Sequence, residues 1–155
     1  MLVQDHIRRN PITIQHDKTF REALEIMVSK KTNGLIVVDE NNRPVGTIDS
    51  FNLIKAMVPS YLHADPGLAK FEPEDVFYKA VSQSLNKTVS DMMEELHGVV
   101  VHEDDPMIMA ATLASKNNFR YVPVVSESGE LEGLVSRTDI KRAMAELLNI
   151  SDNVK

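Results

Sequence analysis

Residues 33–57, NGLIVVDENNRPVGTIDSFNLIKAM, lie without a gap over residues 120–144, RYVPVVSESGELEGLVSRTDIKRAM, when the sequence is shifted by 87 positions. Six of these 25 positions are identical: Val37/Val124, Val38/Val125, Glu40/Glu127, Gly46/Gly133, Ala56/Ala143 and Met57/Met144. Ile48/Val135, Asn52/Asp139, Leu53/Ile140 and Lys55/Arg142 are chemically alike. A repeat at fixed offset marks two copies of one folding unit, each too small to bury much core alone. The chain therefore divides into a first copy (1–57), a connector (58–87) and a second copy with a tail (88–155).

The offset also holds upstream. Phe20, Ala23, Leu24 and Met27 form one apolar helix face, and Met107, Ala110, Ala111 and Ala114 repeat it. Thr19 with Glu22 predicts a capping box. In the second copy Asp105 is expected to cap, with Pro106 at the first helical position. PITI (11–14) matches GVVV (98–101), a short β-rich run, and Val3-x-Asp5 resembles Val89-x-Asp91 after a slip of one residue. LIVV and YVPVV are continuously apolar, so both faces of these strands are expected to be buried. Asn41–Asn42 and Ser128–Gly129 supply the turns that follow. Each copy reads as strand, helix, strand, turn, strand, helix. In the connector, VPSYLHADPGLAKF is expected to be mostly loop and EPEDVFYKAVSQSL helical. Met92, Met93, Met107, Met109 and Met144 read as core filler.

The most informative stretch is GLVSRTDIKRAM, residues 133–144. Gly133 permits a close backbone approach, Leu134 and Val135 end a strand, and Ser136 falls at the N-cap of the next helix with Asp139 placed to complete a capping box. A helix start also offers unpaired amides to a phosphate. A carboxylate on that turn can accept hydrogen bonds from ribose hydroxyls, as in dinucleotide folds. The adjoining YVP strand, with Tyr121 and Val122, offers a wall for a purine. Arg120 and Arg137, with Thr138 between the two motif residues, complete the candidate group. In the first copy Asp49 stands for Ser136 and Asn52 for Asp139, while Gly34 and Leu35 stand for Tyr121 and Val122. Asn52 would hold a ribose more weakly than a carboxylate, and Asp49 is unfavourable for a phosphate, so the Asp139 end is expected to be the better site.

With repeat and motif together, the sequence resembles a pair of cystathionine-β-synthase-type (CBS) domains, a Bateman module, over residues 1–57 and 88–146. The resemblance implies an α/β (α+β) fold of tandem CBS motifs, two pseudo-twofold-related β-α-β-β-α units packed through their sheets. It implies a non-catalytic regulatory module that binds adenosine derivatives (AMP, ADP, ATP or S-adenosylmethionine) in the cleft between the motifs and modulates a partner protein. It implies no required cofactor, with an adenine nucleotide or S-adenosylmethionine as the regulatory ligand. Ser136 and Asp139 fall on the family's ribose-binding Ser/Thr-x-x-Asp, and Ile12 and Val99 on entry strands that face the base. A homodimer is implied, through helices ending in IKAM and IKRAM. A scaffold that works by dimerisation without ligand is the alternative.

The bulk properties agree with this. Apolar residues make up 43% of the chain, enough for a core, but aromatics only 5%, so aliphatic side chains must fill it. There are no cysteines, which excludes disulfides, thiolate metal sites and cysteine nucleophiles. The net charge is −6, no basic run resembles a nucleic-acid footprint, and Arg8–Arg9 is too short to count as one. No apolar run approaches a membrane span or a signal core, and a cytoplasmic location is the expectation. None of the five histidines has metal-site spacing, and His102-Glu103-Asp104-Asp105 reads as a solvated turn. No acid/base or nucleophile constellation is present, so an enzyme is not expected.

Overall fold

The computed structural model describes residues 1–117 and 119–151, so the last four residues of the tail lie outside the described residues. The elements are β1 (Thr13–Gln15), α1 (Phe20–Ser29), β2 (Gly34–Val38), β3 (Pro44–Asp49), α2 (Ser50–Met57), α3 (Ser60–Ala64), α4 (Val76–Ser84), α5 (Val89–Met92), β4 (Glu94–Glu95), α6 (Met107–Asn117), β5 (Tyr121–Val125), β6 (Leu131–Ser136) and α7 (Arg137–Leu147), with 3-10 turns at Val3–Asp5 and Pro66–Phe71. They fold as a mixed α+β protein in two compact units. One takes in Thr13–Val37 and Gly46–Glu95; the other takes in Met1–Ile12, Val38–Val45 and the chain from Leu96 onward.

The Thr13–Glu95 unit is built on a sheet in the order β1-β2-β3-β4. All five residues of β2 are buried, as its unbroken apolar run predicts. Thr19 caps α1: its Oγ1 accepts from the Glu22 amide at 3.3 Å, and the Glu22 carboxylate accepts from the Thr19 amide at 3.1 Å. Phe20, Ala23 and Met27 of α1 are buried, as are Leu35, Ile36 and Ile48 of the sheet.

In the other unit β5 and β6 pair antiparallel, Tyr121 opposite Ser136 and Val122 opposite Val135. Val101 bridges in parallel to Val124 on one side, and Arg8 bridges antiparallel to Leu134 on the other. Val3, Val101, Met107, Ala110, Val122, Val124, Val135 and Ala143 form its core. The two turns are alike: Asn42 and Gly129, equivalent in the repeat, both take positive φ (59° and 88°).

The leading segment of each copy completes the unit that holds the other copy's helices. Val3 N–H donates to the Asp105 carbonyl at 2.9 Å and Met107 N–H to the Met1 carbonyl at 3.0 Å. In the same pattern Val89 N–H donates to the Lys18 carbonyl at 2.7 Å and Phe20 N–H to the Lys87 carbonyl at 2.8 Å. Val3 and Val89 are both fully buried by this arrangement.

The repeated glycine follows from it. A Cβ on Gly133 would lie 2.4 Å from the Arg8 carbonyl oxygen and 2.8 Å from Ile7. A Cβ on Gly46 would lie 2.5 Å from the Met93 sulfur and 2.8 Å from the Glu94 carbonyl oxygen. In both copies a leading segment runs directly over this position, leaving no space for a side chain.

Several expectations are corrected. GVVV forms no strand beyond the single Val101 bridge, because residues 97–98 turn with positive φ just before it. Helix α6 begins at Met107, so Pro106 precedes it and bridges to Leu2 instead of sitting at the first helical position. The Asp105 carboxylate turns back to accept from the His102 amide at 2.8 Å. The first part of the connector forms α3 and a 3-10 turn, with Pro59 and Pro66 each starting a short helical stretch. Of the five methionines read as core, only Met107 is buried; Met109 and Met144 lie on exposed helix faces.

Candidate functional site

The β6–α7 junction gathers the motif residues. Ser136 has extended backbone (φ −95°, ψ 167°), which aims its hydroxyl along the first turn of α7. Its Oγ accepts from the Asp139 amide at 3.1 Å and donates to Asp139 Oδ2 at 2.7 Å. The Ser136 amide donates to the same Oδ2 at 2.9 Å. Asp139 is only 5% exposed, so its charge must be met locally. Arg8 meets it: the guanidinium Nε donates to Asp139 Oδ1 at 2.9 Å, while half the arginine side chain stays in water.

Around this pair the strand pairing sets Tyr121 beside Ser136, with Tyr121 half-buried and Val122 fully buried. The Arg137 amide donates to the Arg120 carbonyl at 3.1 Å and Arg137 Nε to the Phe119 carbonyl at 3.2 Å. Arg120, Arg137 and Thr138 are exposed. Val99 is buried with Leu96 and Phe119. Ile12 is half-buried, four residues past Arg8 on the same segment.

The β3–α2 junction repeats the backbone with different side chains. Asn52 N–H donates to Asp49 Oδ1 at 3.1 Å, and Asp49 N–H to Asn52 Oδ1 at 2.8 Å. The Ser50 amide donates to the Asn33 carbonyl at 3.0 Å, the counterpart of the Arg137–Arg120 bond. Asn52 is 6% exposed, and its Nδ2 donates to Glu94 Oε1 at 3.5 Å. Gly34 and Leu35 are buried in β2. A cavity of about 700 Å³ opens here, lined by Asn52, Lys55, His63, Lys87, Asp91 and Glu94 among others. An apolar groove of about 800 Å³ lies elsewhere in the same unit, against Leu24, Met27, Leu53, Ile54 and Phe77.

Arg8 and Glu94 are the two functional candidates that motif reasoning missed. They occupy equivalent places: Arg8 bridges to Leu134 and Glu94 pairs with Thr47, and these two partners are 87 residues apart. The signal was present in the one-residue slip that aligns Val3-x-Asp5 with Val89-x-Asp91, since the same slip sets Arg8 against Glu94.

Among the described residues no group of three or more His, Asp or Glu is placed to hold a metal ion, and no helix is long and apolar enough to cross a membrane.

A CBS domain family model matches residues 3–59 and 88–146. The chain is 27% identical over 152 residues to the CBS domain-containing protein CBSX2, chloroplastic, of Arabidopsis thaliana, covering 94% of this chain and 63% of that protein. It spans only 23% of another curated relative, to which it is 28% identical. The crystal structure of CBSX2 in complex with AMP superposes with a TM-score of 0.67 at 26% identity, covering 95% of this chain and 98% of that one. The CBS domain pair of protein MJ0100, in complex with 5′-methylthioadenosine and S-adenosyl-L-methionine, superposes with a TM-score of 0.67 at 29% identity, covering 93% and 99%.

Proposed function

Because the chain belongs to the CBS domain family, we propose that it is a non-catalytic regulatory module that binds an adenosine derivative and passes its occupancy to a separate target protein. The observation that carries this reading is the buried Asp139 carboxylate at the start of α7, held by Ser136 and faced by a cation. Ser136 and Asp139 hold the ribose, Tyr121 and Val122 line the base, and Arg120, Arg137 and Thr138 stand at the phosphate end. Ile12 and Val99 flank the base. The relatives' complexes with AMP, 5′-methylthioadenosine and S-adenosyl-L-methionine support an adenosine-type ligand. The Asp49–Asn52 end, with Gly34 and Leu35, is the weaker site, because an amide replaces the carboxylate.

Calorimetry with AMP, ADP, ATP and S-adenosylmethionine tests the reading. At least one compound is expected to bind below millimolar concentration, and Asp139→Ala to abolish binding at the better site while the fold survives. Absence of binding by all four would reject it.

A second reading, a scaffold acting through homodimerisation alone, draws on exposed apolar side chains of the terminal helix turns. Ile54 (57%), Met144 (56%) and Leu147 (71%) all face solvent in the single chain. Sedimentation of the protein with and without AMP separates the readings: a ligand-independent dimer that binds none of the four compounds favours the scaffold.

A further inference from the structure

An ionised carboxylate has about four lone-pair positions. In Asp139 two are taken at Oδ2 by the Ser136 amide and hydroxyl, and one at Oδ1 by Arg8. One position remains, whereas the two vicinal hydroxyls of a ribose need two. The capping bonds are fixed by the helix start, so the bond that can yield is the one to Arg8, whose side chain is half in water. Leaving the carboxylate strands a guanidinium, and a phosphate is the group that would satisfy it, since the planar fork fits phosphate oxygens as well as carboxylate oxygens.

We propose that Arg8 is an internal competitor for the ribose position of Asp139, displaced by the ligand and handed to its phosphate, so that this end selects phosphorylated over unphosphorylated adenosine compounds. The inference rests on the adenosine-binding reading above and adds to it a residue and a selection rule. The other end lacks the device. At the place of Arg8 stands Glu94, whose carboxylate accepts from the Asn52 amide and repels a phosphate brought beside it. Lys55 and Lys87 also line that cavity, but the Lys87 ammonium is bonded to the Ala56 carbonyl.

The test is calorimetry of the full chain with AMP and with adenosine as probes, the signal lost in Asp139→Ala being assigned to this end. Wild type is expected to bind AMP at least tenfold more tightly than adenosine. Arg8→Gln removes both the competitor and the phosphate partner, so AMP should weaken severalfold while adenosine tightens, two changes of opposite sign. Arg8→Lys, which keeps the charge but loses the fork, should fall between, and it serves if the Gln variant melts below the assay temperature. A merely structural Arg8 would move both ligands in the same direction, and that result overturns the proposal. If wild type binds neither probe, nor ADP, ATP or S-adenosylmethionine, the adenosine reading itself has failed, and the proposal with it. If wild type binds AMP and adenosine equally, the proposal is overturned while the adenosine reading stands.

Discussion

At one helix start a buried carboxylate, Asp139, faces Arg8; at its repeat equivalent a buried amide, Asn52, faces Glu94. The backbones match down to individual hydrogen bonds, such as Arg137 to Arg120 and Ser50 to Asn33. The charges do not match at all. Backbone geometry here is held by constraints that neither copy can relax: a capping box, a glycine under a crossing segment and a strand buried on both faces. The side chains at positions 8 and 94 are under no such constraint, and at positions 52 and 139 either an amide or a carboxylate completes the capping box, so the charges can diverge provided that each buried polar atom keeps a partner.

The sharpest test of the shared backbone is the glycine pair. Gly133→Ala drives a Cβ into the Arg8 carbonyl and Ile7, and should cost about 3 kcal/mol in urea unfolding. Gly46→Ala should cost less, about 1–2 kcal/mol, because its backbone clash, 2.8 Å to the Glu94 carbonyl oxygen, is milder than the 2.4 Å one at Gly133 and its nearest neighbour is the flexible Met93 thioether. Equal losses would mean that the two crossings are equally rigid.

Next in size is removal of the capping acid. Asp139→Ala loses a cap and one side of a half-exposed ion pair and should lower stability by about 2 kcal/mol; Asn52→Ala should lose about 1 kcal/mol. Exchanging the charges is gentler still. Asn52→Asp sets a carboxylate against Glu94 and should cost about 1 kcal/mol, and adding Glu94→Arg should recover it, rebuilding the Arg8–Asp139 pair in the other copy. A double-mutant cycle without coupling would show that the pairing depends on more than these two positions.

The smallest contrast is at α1 and α6. Thr19→Ala should cost about 0.5–1 kcal/mol, the low side for a cap, since its Oγ1 contact is long at 3.3 Å. Pro106→Ala, outside α6, should change thermal stability by no more than about 0.5 kcal/mol.

Much of this was legible from the repeat. The apolar runs at 34–38 and 121–125 foretold buried strands, and Thr19, Asp49 and Ser136 marked helix starts that the structure places within a residue. Strand β4 was not legible. It is two glutamates long, with no apolar alternation, and is a strand only because β3 offers Gly46 and Thr47 as partners. The exchange of leading segments was hidden for a related reason. Two similar copies present similar docking grooves, and local pattern does not say which groove a segment enters. Arg8 followed from that exchange, so it could be assigned to Asp139 only once the long-range pairing was known. EPEDVFYKAVSQSL carries α4 as its pattern predicts, whereas VPSYLHADPGLAKF departs from the loop expectation because a proline that breaks a helix also starts short ones.

The crossing of Met1–Asp5 and Lys87–Asp91 into each other's territory has a consequence for how the gene can be divided. A fragment ending at residue 59 lacks Val89 and the strand that covers Gly46; a fragment beginning at residue 60 lacks Val3 and the Ile7–Arg8 segment that covers Gly133. Neither half carries a complete core. Mixed together, the two fragments should fold only as a complementing pair, so this duplicated protein behaves as one indivisible folding unit, each repeat holding part of the other's template.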